Sequence, residues 1–263
     1  MFVDSHCHLS FPELAARLPE IRAAMAEAQV DRALCICTTL EEFEAVHALA
    51  VGHDNFWCSA GVHPDNEGVR EPSLDDLLAL AAKPKVVAIG ETGLDYFRLN
   101  GRSIDDMAWQ RERFRVHIRA SKASGLPLVI HTRSASDDTL RLLKEEGADA
   151  ADGPGGVFHC FTETEAVARA ALDLGFYISF SGILTFKTAA DLREVARFVP
   201  LDRCLIETDS PYLAPVPFRG KTNSPAYVPH VAQQMAVLKG VTIEAIAEAT
   251  SRNFECLFDR TTA

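Results

Sequence analysis

An α/β fold closed as one (β/α)8 barrel follows from three features of the sequence. Short apolar runs recur eight times along the chain. Between them lie stretches whose apolar residues return every three or four positions, the helical period. Polar residues suited to chemistry gather where the apolar runs end, which is where barrels of this kind place their sites. Alternating strand and helix gives a parallel sheet flanked by helices. Eight such units in 263 residues fit a TIM-type barrel spanning 1–263 as a single domain. A doubly wound open sheet shares the alternation but offers no one mouth where residues from many strand ends meet.

The predicted strands are Phe2–His6, Arg32–Cys37, Phe56–Val62, Val86–Gly90, Leu126–His131, Gly156–Cys160, Phe176–Ser181 and Cys204–Glu207. The helical period covers Glu20–Gln29, Glu41–Val51, Leu74–Ala82, Asp106–Ala123, Ala135–Glu146, Thr164–Leu174 and Ala189–Phe198. Ser73 and Thr188 stand as N-caps, and Gly125, Gly147 and Gly175 close helices. After the eighth strand come a loop over Ser210–Pro225 and helical patterns at Tyr227–Leu238, Ile243–Thr250 and Arg252–Phe258.

Composition narrows the function. The chain carries 26 Lys and Arg against 37 Asp and Glu, a formal charge of −11, which opposes broad electrostatic binding of nucleic acid. A small site whose bound cations reverse the local field stays compatible with that charge. No apolar run is long enough to span a bilayer, and no basic region or signal core precedes the first strand, so a cytoplasmic protein is expected. The 7 cysteines form no C-x-x-C pair and are expected as reduced thiols. Strand alternation turns Cys7 and Cys160 away from the face the histidines share.

Of 9 histidines, five fall at strand ends: His6, His8, His63, His131 and His159. His6 and His8 sit two apart on one strand and therefore on one face. Glu91 ends the fourth strand, and Asp209 follows the eighth. A carboxylate at the end of an apolar strand needs a charge partner. His6, His8, Glu91, His131, His159 and Asp209 are too many donors for one tetrahedral ion with an open position. They suit two divalent ions ~3.5–4 Å apart. His6, His8 and Asp209 go to one and His131 and His159 to the other, with Glu91 bridging. Imidazole mixed with carboxylate favours Zn²⁺, Mn²⁺, Fe²⁺ or Co²⁺ over Ca²⁺, with Mg²⁺ also usable.

The motifs Val3-Asp4-Ser5-His6-Cys7-His8-Leu9, Ala60-Gly61-Val62-His63-Pro64 and Ile89-Gly90-Glu91-Thr92-Gly93-Leu94-Asp95-Tyr96 resemble the TatD family of metal-dependent deoxyribonucleases. So do Val129-Ile130-His131-Thr132-Arg133, Phe158-His159-Cys160-Phe161, Glu207-Thr208-Asp209-Ser210-Pro211-Tyr212-Leu213 and Arg219-Gly220-Lys221-Thr222-Asn223. The resemblance covers nearly the whole chain. It implies an amidohydrolase-like barrel, up to two divalent ions, phosphodiester hydrolysis of the 3'-5' exonuclease type and the same six ligands. Ser10, Thr92 and Ser224 depart from the family's usual Asp, Ile and Glu, and none is an expected ligand.

On that basis Asp209 is expected to serve as ligand and general base, with His63 donating to a phosphate or leaving-group oxygen. Arg133, Lys187, Arg219 and Lys221, on loops after strands, are expected phosphate contacts. Asp95 and Glu207 are expected to support ligands rather than react. Nucleic acid, DNA first, is the expected substrate, and no obligate protein partner is implied. A metal-dependent hydrolase of another ester or amide, such as an aminoacyl-tRNA, a lactone or a small phosphoester, competes with this reading. So does a non-catalytic metal- or nucleic-acid-binding protein on an enzyme fold.

Overall fold

In a computed structural model that describes residues 1–149 and 153–261, eight parallel strands run in the order of the chain, each paired with the next. They are β1 (Phe2–Cys7), β2 (Val30–Cys35), β3 (Phe56–Ala60), β4 (Val86–Asp95), β5 (Leu128–Arg133), β6 (Gly156–Phe158), β7 (Tyr177–Phe180) and β8 (Cys204–Ile206). A parallel bridge between Cys7 and Ser210 joins the two ends of this sheet, so the strands form a nearly closed (β/α)8 barrel. Helices follow the strands: α1 (Pro12–Ala15), α2 (Leu18–Glu27), α3 (Phe43–Val51), α4 (Leu74–Ala81), α5 (Ala108–Ser124), α6 (Ser136–Glu145), α7 (Glu165–Asp173), α8 (Ala190–Phe198), α9 (Val228–Lys239) and α10 (Ile243–Leu257). Among the described residues no helix is long and apolar enough to cross a membrane.

Two apolar layers hold the barrel. Val3, Leu34, Ile36, Val87, Val129, Val157 and Leu205 pack in one cluster with Phe254, Leu257 and Phe258 of the C-terminal helical region. The remaining apolar strand residues pack with the outer helices, among them Phe114 and Ile118 of α5 and Leu142 and Leu143 of α6. Fully burying a side chain of this size contributes about 1.5–3 kcal/mol, which sets the helices against the strands.

The seam between β1 and β8 is polar. Asp4 Oδ1 accepts from Thr208 N (2.9 Å) and His6 N (3.2 Å), and Asp4 Oδ2 accepts from the Thr208 hydroxyl (2.5 Å). Asn223, fully buried, donates to the carbonyls of Thr208 (2.8 Å) and Tyr212 (2.6 Å) and ties the long loop to the same seam. These bonds fix the backbone on either side of His6 and Asp209.

Several boundaries differ from the sequence expectation, each for a local reason. The fourth strand runs to Asp95 rather than Gly90, because Gly93 lets the His131 carbonyl approach: a Cβ there would stand 2.0 Å from His131 O. The last helix is one element where two patterns were expected; Ser251 lies on its surface and does not break it. Ser73 does cap its helix, in a reciprocal pair with Asp76. Thr188 does not: the cap position is Ala189, without a side-chain bond.

His117 on α5 anchors the end of the third strand unit. Its Nε2 accepts from Val62 N (3.0 Å) and its Nδ1 donates to Arg113 O (2.8 Å). Burial lowers its pKa from 6.5 to about 4, so the folded protein keeps it neutral. The unfolded chain takes up this proton below 6.5 and the folded chain does not. Its contribution is therefore whole above 6.5 and is lost as pH falls toward 4, by about 3 kcal/mol in total. The urea midpoint of the wild type should thus fall more steeply between pH 7 and 4.5 than that of His117→Gln. Parallel pH profiles for the two proteins would contradict this assignment.

Candidate metal centre

The mouth of the barrel opens into a cavity of about 680 Å³ lined by His8, His63, Glu91, His131, His159 and Asp209 among others. His6 lies beneath them, fully buried. The register of β1 on β2 shifts between Asp4 and Cys7, and His6 within the shift and His8 beyond it bring their Nε2 atoms to 3.3 Å. Asp209 Oδ1 is 3.6 Å from the first and 3.4 Å from the second. Asp209 takes a left-handed backbone (φ 56°), which Asp tolerates better than most residues, and its N donates to His6 O.

Glu91 divides its oxygens between two sets of imidazoles. Oε2 faces His6 (3.3 Å) and His8 (3.9 Å). Oε1 faces His159 Nε2 (2.8 Å), His63 Nε2 (3.2 Å) and His131 Nδ1 (3.4 Å). Four donors held ~2.1 Å from one tetrahedral ion stand ~3.4 Å apart. The distances among His6, His8, Glu91 and Asp209 fall around that value. Among the described residues His159 Nε2 makes no hydrogen bond despite its closeness to Glu91, as expected of atoms aimed at a common third point rather than at each other. The donor set therefore fits divalent ions, and the groupings His6–His8–Asp209 and His63–Glu91–His131 each bring three candidate ligand atoms together.

The charges are prepared for that role. Burial alone would push the Glu91 carboxyl up, but His159, His63 and His6 outweigh it and hold the group well below the usual range. Asp209 is treated likewise: burial opposes ionisation, and His8, His6 and His159 overcome it. Both carboxylates are thus ionised, as cation ligands must be.

The surrounding groups orient the ring nitrogens. Asp95 Oδ2 lies 2.9 Å from His131 Nε2, leaving Nδ1 toward Glu91. Glu207 Oε1 accepts from Cys160 N (2.7 Å) and stands 3.3 Å from His159 Nδ1, leaving Nε2 toward Glu91. His63 differs. Its Nδ1 accepts from Asp65 N (3.0 Å), so the neutral ring carries its proton on Nε2, which faces Glu91 as a donor. Arg113, buried and paired with Glu71, donates to His63 O and Asn66 O and fixes this loop.

Of the four expected phosphate contacts, Arg133 lines the cavity. Lys187, Arg219 and Lys221 are exposed and stand outside the described cavity lining, Arg219 with its guanidinium 3.5 Å over the Phe186 ring. Arg98, which the sequence reading did not single out, does line the cavity, on the loop two residues past Tyr96. One expectation is overturned. Cys7 packs outward as alternation requires, but Cys160 lines the mouth. The sixth strand ends at Phe158, and Cys160 adopts φ 42°, so alternation no longer governs where its side chain goes. Every cysteine is a free thiol.

The sequence matches the family described as TatD related DNase over residues 3–259. An uncharacterized metal-dependent hydrolase of Escherichia coli strain K12, YcfH, is 48% identical over 260 residues, covering 97% of this chain and 95% of that protein. A 3'-5' ssDNA/RNA exonuclease, TatD, of Salmonella typhimurium is 32% identical over 262 residues, covering 97% and 98%. Among solved structures, the crystal structure of YJJV, a TatD homologue from Escherichia coli, superposes with a TM-score of 0.88 at 28% identity and covers 98% of both chains. With the barrel and the imidazole–carboxylate cluster already in place, these matches make the chain a metal-dependent hydrolase that belongs to the TatD-related DNase family.

Proposed function

We propose that this protein is a 3'-5' exonuclease that hydrolyses phosphodiester bonds of single-stranded nucleic acid, DNA in the first place. The observation that carries the reading is the division of Glu91. One carboxylate serving two imidazole groups through separate oxygens is what a paired-ion hydrolytic centre requires. His6, His8 and Asp209 would hold one ion, and His131 and His159 the other. The name of the Salmonella relative supports the substrate class.

Divalent ions, when bound, supply a water of lowered pKa and neutralise charge on the phosphate. Asp209, 14% exposed at the cavity and beside both His6 and His8, takes the proton of the attacking water. His63, its proton fixed on Nε2 by the Asp65 amide and facing Glu91 in the free protein, turns that donor to an oxygen of the phosphate when substrate enters. Arg133 and Arg98 hold the flanking backbone. Asp95 and Glu207 keep His131 and His159 in their tautomers.

Stripping the protein of metal should abolish cleavage of an end-labelled single strand. Re-supply in turn with Mg²⁺, Mn²⁺, Co²⁺ and Zn²⁺ should restore stepwise shortening from the 3' end with at least one ion. Hydrolysis of a simple ester or lactone, with no strand shortened under any ion, would keep the centre and move its substrate elsewhere.

A further inference from the structure

Two aromatic surfaces stand at the mouth, and the chemistry above uses neither. On one side Phe11 stacks on the His8 ring, with centroids 4.7 Å apart and planes 19° from parallel. Tyr212 meets Phe11 edge-on at 6.3 Å and lines the cavity. Tyr212 is 54% exposed, and among the described residues none hydrogen-bonds its hydroxyl. On the other side the guanidinium of Arg133 lies 3.6 Å over the ring of Phe97, which is 55% exposed. The first pair belongs to the loops after β1 and β8, the second to the loop after β4 and the end of β5. In a barrel of eight strands in chain order, these positions face each other across the mouth. Glu91 and its histidines lie between.

Large aromatic rings left in water beside a catalytic cavity point to a ligand that covers them. The ligand has to be flat, because Tyr212 and Phe97 offer faces rather than pockets. It also has to continue from a phosphodiester held between them, because Tyr212 and the Arg133 that covers Phe97 line the same cavity. We infer that the two poles are stacking surfaces for the nucleobases on either side of the scissile phosphate, Tyr212 with Phe11 at one and Phe97 with Arg133 at the other. This rests on the exonuclease reading and assigns residues to its preference for single strands. A base inside a duplex has both faces covered by its neighbours, so only an unpaired end can lay a base on either ring. Stacking tolerates every base, since each has a π-face, so the poles choose unpaired strand without choosing sequence. Arg98 and Arg133, on the same rim, meet the backbone charge.

The test uses two single strands, one ending in ordinary nucleosides and one whose terminal residues lack bases. The wild type should show a KM about ten- to a hundredfold lower for the first. In Tyr212→Leu that preference should shrink about tenfold, and Phe97→Leu should shrink it further. Both side chains are exposed, so neither substitution removes a core contact. A terminal fluorescent adenine analogue, quenched on stacking, gives a second readout in an Asp209→Asn background that does not consume the strand. Quenching there should vanish with Tyr212→Leu. If the wild type degrades the strand but both variants keep its full preference, or lose both substrates equally, the stacking poles are wrong and the exonuclease stands. If no strand is degraded yet quenching depends on Tyr212, the exonuclease reading falls and the base site stands. Neither cleavage nor quenching would overturn both.

Discussion

Asp209→Asn is expected to lower strand cleavage by at least about a thousandfold and to leave the fold intact. The reasons lie on different atoms. Asp209 serves the fold through its backbone: N donates to His6 O (2.9 Å) and O accepts from Tyr212 N (3.0 Å), neither of which an amide side chain disturbs. Asn also tolerates the left-handed backbone this position requires. What changes is the carboxylate. Its charge, secured by His8, His6 and His159 against the cost of burial, disappears, and with it the proposed proton acceptor facing the cavity. Loss of a positioned general base costs about 10²–10⁴ in rate, and loss of a ligand charge adds to it. Initial rates on a labelled strand, beside a thermal melt, would separate the two consequences. A variant that melts normally and cleaves at the wild-type rate would remove Asp209 from the role of base.

The prominence of Asp209 in the sequence shows what made the site legible there. A carboxylate after the apolar run Cys204–Ile206 has no local partner, so its partner has to come from other strand ends, and barrel topology says which. The same reasoning reached Glu91 and the five histidines at strand ends, as well as Asp95 and Glu207 behind them. It failed where strand alternation stops. Cys160 was assigned by a period of two that ends at Phe158. Arg98 and Tyr212 sit on loops, where no period exists to say which way a side chain points, and their places follow from tertiary packing alone. His117 was placed on a helix and outside the site, which is where it lies. Its function of holding Val62 was invisible because the two residues are 55 positions apart. The short helix Pro12–Ala15 has four residues, too few to show a helical period.

Glu91→Gln should have the other large effect, and it should differ from the first in kind. Glu91 is 2% exposed and faces five imidazoles, His6, His8, His63, His131 and His159, through two oxygens. Only an ionised carboxylate can present an acceptor to both groups at once. An amide keeps one oxygen and turns an NH₂ toward the other group, so at least one set of imidazoles loses its shared anion. The expected result is a fall in tightly held divalent ions from the proposed two per chain to one or none, with a loss of cleavage exceeding about a thousandfold. His63 sharpens the expectation, because its Nε2 already presents a proton to Oε1. With the amide nitrogen on that side, two donors would face each other, so the oxygen should settle toward His63, His131 and His159 and leave the His6–His8 side the poorer. Metal content after dialysis, measured beside the same variant's rate, reads both effects. An Asp209→Asn protein should retain more metal than Glu91→Gln at equal loss of rate, since Asp209 faces only His6 and His8. Two ions per chain surviving in Glu91→Gln would show that the carboxylate does not bridge, and the paired centre would have to be redrawn around His131 and His159 without it.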